Sequence, residues 1–278
     1  MTRPAAVGLW VLAGLSIALA SSDPLPRVVV LVGAWLLLVR SRLSGRRLAP
    51  LAIGVGALGG LSMLTNGLLS HTGATVLVSL PAWLPLVGGP VTLEGLVEGA
   101  AIGVGLAAAV SVAASLTLVI DSGDLVDALP WFLARLGAAL GSALNLVPAV
   151  AGSFTSVREA QRMRGWRPRG LRSMVDLVVP VMVGAIERSV QLAESMEARA
   201  FGSGPRTRAG TSLRTWRGTI LGIGSLAVLG VFAAVRVSGL GGAGWYPYPT
   251  LSTPSWGIAT LGPPFALAVL SVVAGHQR

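Results

Sequence analysis

The chemistry open to this chain is concentrated in two arginines. Glu159 to Trp166 reads EAQRMRGW and Glu194 to Phe201 reads ESMEARAF; aligned on Arg164 and Arg199, each has a glutamate five residues earlier, a small residue next and an aromatic two after. A guanidinium is planar and permanently charged, and its rigid fork of donors fits a carboxylate on another molecule. The repeat therefore describes a helix that ends by presenting an arginine, and it occurs twice. The plainer use of such a residue is to settle its own helix C-terminus, worth about 0.3 to 1 kcal/mol. Arg162, Arg167, Arg169, Arg172, Arg206 and Arg208 lie near the two tips without the repeated context, and lipid headgroups account for them.

Other chemistries find little support. His71 and His276 are the two histidines, one between apolar runs and one near the carboxyl end, and cysteine is absent, which excludes disulfides and thiolate metal sites. No HExxH, GxSxG or GxxxxGK[ST] pattern occurs, so no catalytic role and no bound cofactor is expected. Asp121, Asp124 and Asp127 lack the rest of a calcium loop; Ser122 or Asp124 is read instead as the cap of a helix starting near Leu125. A self-contained channel or secondary transporter, the alternative from another class, calls for ionisable residues inside spans, and Glu94 and Glu98 come nearest to that.

The elements that position the arginines belong to a membrane. The 278 residues are 53% hydrophobic and 12% charged, against about 25% charged in soluble domains. The expected fold is an all-α integral membrane protein. A formal charge of +10 raises nucleic acid as a partner, but the 21 basic residues are all arginine and cluster between apolar runs, where membrane lipids are the natural counterpart. No nucleic-acid partner is expected.

A bilayer core needs about 20 apolar residues as helix. Residues 49–69, 95–120, 217–236 and 255–275 meet that length, while 5–20 and 28–39 are shorter and separated by a Ser-Ser-Asp-Pro-Leu-Pro break. This gives about six membrane segments, the first two short; the first, with Arg3 before it, is read as retained rather than as a cleaved leader. Every arginine except Arg27 and Arg236 falls in a segment assigned inside, so both termini are expected to be cytoplasmic. The loops 70–94 and 237–254 carry the Trp and Tyr of an interfacial belt, and Val76 to Val87, broken by Pro81 and Pro85, is expected at that interface. Glycine pairs at spacing four (Gly56 and Gly60, Gly99 and Gly103, Gly137 and Gly141) read as close helix contacts.

The chain divides into N-terminal membrane segments (1–120), cytoplasmic helices carrying the two arginines (121–216) and C-terminal membrane segments (217–278). Two long helices are expected in the middle part, from about Gly137 to Arg164 and from about Met174 to Arg199, each about 35 to 40 Å long. The second shows an apolar stripe of Val179, Val183, Ile186, Val190 and Ala193, suited to a membrane surface or a sister helix. Glu187 and Arg188 would lie well inside a span, at roughly 2.5 to 3.5 kcal/mol each, so arms on or partly in the membrane are preferred to two further spans.

The pattern resembles the transmembrane T component of energy-coupling factor (ECF) transporters, the CbiQ/EcfT family of ABC importers for vitamins and transition-metal ions. The resemblance runs from about residue 95 to 217 and rests on Met163-Arg164-Gly165 and Ala198-Arg199-Ala200, each preceded by Glu159 or Glu194, where the family has two Ala-Arg-Gly motifs; DSGDLVDAL, Pro148 and Pro180 also match. It implies that Arg164 and Arg199 pair with acidic groups on two ABC-type ATPase subunits, and that the rest of the chain cradles a small substrate-binding membrane subunit in a prokaryotic cell membrane. Met163 and Ala200 depart from the motif, which bears on close packing around the tips more than on the arginines.

Overall fold

The computed structural model describes the chain except residues 1–2, 42–44, 82–87, 121–122, 124–125, 127–133, 168–169, 201–215, 241–243, 255–256 and 275–278. It divides into two compact units: Met1–Asp121 with Ser212–Arg278, and Ser122–Thr211.

In the first unit lie α1 (Arg3–Ala20), α2 (Pro24–Arg40), α3 (Gly45–Leu69), β1 (Val76–Ser79), β2 (Pro90–Thr92), α4 (Leu93–Val119), α7 (Trp216–Ser238) and α8 (Ile258–Ala274). The expected break between the first two runs is real: Pro24 opens α2, where a missing N–H costs nothing. Among the described residues four helices are long and apolar enough to cross a membrane, Leu48–Leu69, Leu93–Val119, Ala139–Met163 and Trp216–Ser238, while Pro4–Ala20 and Ile258–Val272 are shorter. Two expectations change here. The run 255–275 yields a 17-residue helix, because Gly257 forms its first turn by accepting from the amides of Thr260 and Leu261. The helix that holds Arg164 at its end is itself apolar enough to span over Ala139–Met163.

Helix α4 is the hub of this unit, packed by α1, α2 and α3, while α8 closes on α2 and α7. Trp10, Ile17, Leu37, Leu38, Val112, Leu221 and Leu267 are buried, and the Trp10 indole donates to the Leu267 carbonyl at 3.0 Å. Lipid supplies no hydrophobic drive between helices, so close backbone approach must hold them. The Gly99 and Gly103 pair provides it: a Cβ on Gly103 would stand 2.8 Å from the Gly59 carbonyl oxygen, and one on Gly99 2.8 Å from the Met63 Cα. Ser62 adds a hydrogen bond to the Gly99 carbonyl at 3.0 Å. Gly56 and Gly60 face open space instead, so only one of these two pairs is a contact.

Glycine also explains Arg27. Its Nη1 donates to the Ala101 carbonyl at 2.9 Å, and its side chain crosses Gly105, where a Cβ would lie 3.0 Å from Nε. The absent side chain one turn on leaves that carbonyl accessible, and α2 is pinned to α4 inside the unit.

The loop after α3 brings an exception to the all-helical expectation. Val76-Leu-Val-Ser pairs antiparallel with Pro90-Val-Thr, because β-branched residues bounded by Pro81 and Gly88-Gly89 favour a hairpin over a lone interfacial segment. All four residues of β1 are exposed. Thr92 caps α4 by accepting from the Gly95 amide at 3.3 Å. Glu94 is 1% exposed and accepts from the Thr75 amide (3.2 Å to each oxygen) and hydroxyl (2.9 Å), which gives this carboxylate a structural use. The same loop is tied to the segment after α7 by Ser70 with the Tyr248 hydroxyl (2.7 Å) and by the Ala74 amide to the Pro249 carbonyl (3.1 Å).

The second unit holds α5 (Ala134–Met163), a short 3-10 turn (Leu171–Met174) and α6 (Val175–Ala198). Pro148 and Pro180 lie inside the two helices. Of α6, Leu177 and Val181 are buried, whereas Val179, Val183, Ile186 and Val190 are exposed. The apolar stripe read from the sequence is therefore not the face that packs within this unit; a second pair one turn apart takes that part. Asp121, Ser122, Asp124, Leu125 and Asp127 lie outside the described residues.

Candidate functional site

Both arginines stand where a helix stops. The last carbonyls of a helix need donors, and a left-handed residue just past the end turns the following amides back to them. At the end of α5 the Gly165 amide donates to the Arg162 carbonyl (3.0 Å) and the Trp166 amide to the Gln161 carbonyl (2.9 Å), with Gly165 at φ +86. This is a Schellman cap with Arg164 as the capping residue. At the end of α6 the Ala200 amide donates to the Glu197 carbonyl (2.9 Å), with Ala200 at φ +53 and Arg199 as the capping residue. The sequence repeat is thus a repeat of backbone geometry.

That geometry explains the small residue after each arginine. A Cβ on Gly165 would meet nothing within 4 Å, so the glycine serves the positive φ and not packing. Ala200 holds the same conformation with a Cβ, at a cost of about 1 kcal/mol. Ala200→Gly is accordingly expected to slow amide exchange in the last turn of α6 about fivefold, measured by hydrogen exchange and mass spectrometry. An unchanged rate would mean that the left-handed turn is not what ends the helix.

Arg164, Arg199, Glu159, Glu194, Ala198 and Gly165 are all exposed, and Met163 is 84% exposed. The side chain before the first arginine therefore packs on nothing in this unit. Phe201, Arg169, Arg206 and Arg208 lie outside the described residues, as does the side chain of Arg172; Arg162 and Arg167 are exposed.

The two tips are held far apart. The Trp166 indole donates to Asp176 Oδ2 at 3.2 Å, which sets the end of α5 beside the first turn of α6. Arg199 directly follows the other end of α6. At ~1.5 Å per residue, the length between Asp176 and Arg199 separates the tips by about 35 Å. A single binding groove cannot hold both. Two residues contribute here beyond the repeat itself: in the sequence Trp166 is only the aromatic two after Arg164, and Asp176 carries no signal because its partner is ten residues away across a turn.

Among the described residues no group of three His, Cys, Asp or Glu side chains could hold a metal ion. Of the ionisable residues in the first unit, Glu94 is held by Thr75 and Arg27 by the Ala101 carbonyl.

The model of the CbiQ family, described as cobalt transport protein, matches residues 2–209 and so covers both arginine tips. The energy-coupling factor transporter transmembrane protein EcfT of Bacillus selenitireducens is 27% identical over 150 residues, 48% of this chain and 53% of that relative. The chain spans about half the length of the curated relative it matches. With apolar helices long enough to cross a bilayer and a family match over most of its length, the chain belongs to the CbiQ family, the transmembrane T components of ECF transporters.

Proposed function

We propose that this chain is the non-catalytic coupling subunit of an ECF importer in a prokaryotic cell membrane. Two ABC-type ATPase subunits each receive one arm tip, and Arg164 and Arg199 pair with carboxylates there. The first unit, set in membrane lipid with both termini cytoplasmic, cradles a small substrate-binding membrane subunit (S component), and ATP-driven motion of the tips drives uptake of a vitamin or a transition-metal ion.

One observation carries this reading: two exposed arginines occupy the same capping position on two helices, about 35 Å apart. Arginine suits the task because its fork grips a carboxylate through two bonds.

The test is co-expression with a pair of ABC-type ATPases and a candidate S component, followed by purification through a tag on this chain. Recovery of both ATPases in equal amounts supports the reading. Recovery of the S component with neither ATPase, from cells that make all of them, would sink it.

A further inference from the structure

Arg188 lies just past the middle of α6, and its Nη1 donates both to the Ala149 carbonyl of α5 at 3.2 Å and to the Ser153 hydroxyl. The Ser153 hydroxyl in turn donates to the same Ala149 carbonyl at 2.8 Å. One guanidinium therefore closes a small ring of bonds on a neighbouring helix. The place matters: Ala149 directly follows Pro148, which has no N–H and leaves the Leu144 carbonyl without its helical donor. Helices bend most readily at such a point. Arg188 grips α5 one residue beyond it.

A second tie, from the Trp166 indole to Asp176, joins the same two helices near their connecting turn. One tie leaves two helices free to splay about it, whereas two fix the angle between them. We propose that Arg188 is a positioning residue that sets the crossing of α5 and α6, so that a displacement of one arginine tip reaches the other. Lysine replaces it only in part: an ammonium can donate to both acceptors, but it sits on a shorter and more flexible stem than the guanidinium. The clasp itself stands on this geometry alone; its bearing on uptake rests on the coupling function proposed above.

The natural sequence has no cysteine, so two introduced thiols at the exposed positions Arg158 and Ser195 give unambiguous spin-label sites, one on each arm. Pulsed electron paramagnetic resonance on the full chain in lipid nanodiscs, without partners, is expected to give one narrow distance. Arg188→Ala is expected to lose that single narrow peak, and Arg188→Lys to restore it in part. Ser153→Ala removes one acceptor by a mild change at a helical position and is expected to broaden the peak as well. An unchanged peak in Ser153→Ala and in folded Arg188→Ala would overturn the proposal. A broadened peak with full ATP-coupled uptake in the assembled transporter would keep the clasp and remove its part in coupling, independently of whether ATPases bind the tips.

Discussion

Carrying Arg164→Ala and Arg199→Ala together, the chain is expected to insert in the membrane at normal levels and to lose ATP-coupled uptake. Both side chains are exposed beyond the last helical turn, so neither truncation removes a packing contact within its unit. An arginine anchor buried at a protein interface costs 2 kcal/mol or more when truncated, about thirtyfold in affinity. Two anchors on one assembly multiply, so roughly a thousandfold weaker hold on the ATPase pair is expected of the double variant. Each single variant keeps one tip and should lose about thirtyfold. Arg→Lys at either position keeps the charge but not the fork and should fall between. Quantitative pull-down of the ATPases and uptake in vesicles read both effects. Full uptake by the double variant would refute the role of the tips.

The second large effect belongs to folding. Gly103→Leu is expected to destabilise the first unit by about 3 kcal/mol, because its Cβ would stand 2.8 Å from the Gly59 carbonyl oxygen and 2.9 Å from the Gly59 Cα. A flexible side chain can swing aside, but a helix backbone can yield only by moving as a whole. The α3–α4 seam would then open and strand the Ser62 bond to Gly99. Gly60→Leu is the control, since nothing lies within 4 Å of its Cβ and the added side chain reaches lipid. Thermal unfolding in detergent separates the two. Equal loss in both would mean that the seam lies elsewhere.

Much of this was readable in the sequence because lipid enforces a simple rule. A backbone without water must bond to itself, so apolar length translates directly into helices, and the expected spans 49–69, 95–120 and 217–236 reappear within a few residues as Gly45–Leu69, Leu93–Val119 and Trp216–Ser238. The arms are as close, at Ala134–Met163 and Val175–Ala198. What composition could not give was any fact about which faces meet. Leu177 and Val181 pack while the more regular stripe of α6 stays exposed, and of two like glycine pairs on α3 and α4 only Gly99 with Gly103 touches a neighbour. Periodicity finds an apolar face; it does not say what covers it. The arginine repeat was legible as a pattern, but its cause, a left-handed turn after each tip, needed the backbone. The Trp166 and Arg188 ties join residues distant in the chain and left no local trace.

The spacing of the tips also limits how they can move. Arg164 stands beside the start of α6 and Arg199 at its end, so a seesaw tilt of that helix by 10° about its midpoint lifts one tip and lowers the other, each by about 3 Å. Seesaw motion carries them in opposite senses and leaves their separation unchanged. Two partners that draw together symmetrically demand something else, a shortening of the span between the tips. Within α6 the place to flex is Pro180, where the Asp176 carbonyl lacks its helical donor. The arm pair is then a bow strung between its two ends, and not a balance beam.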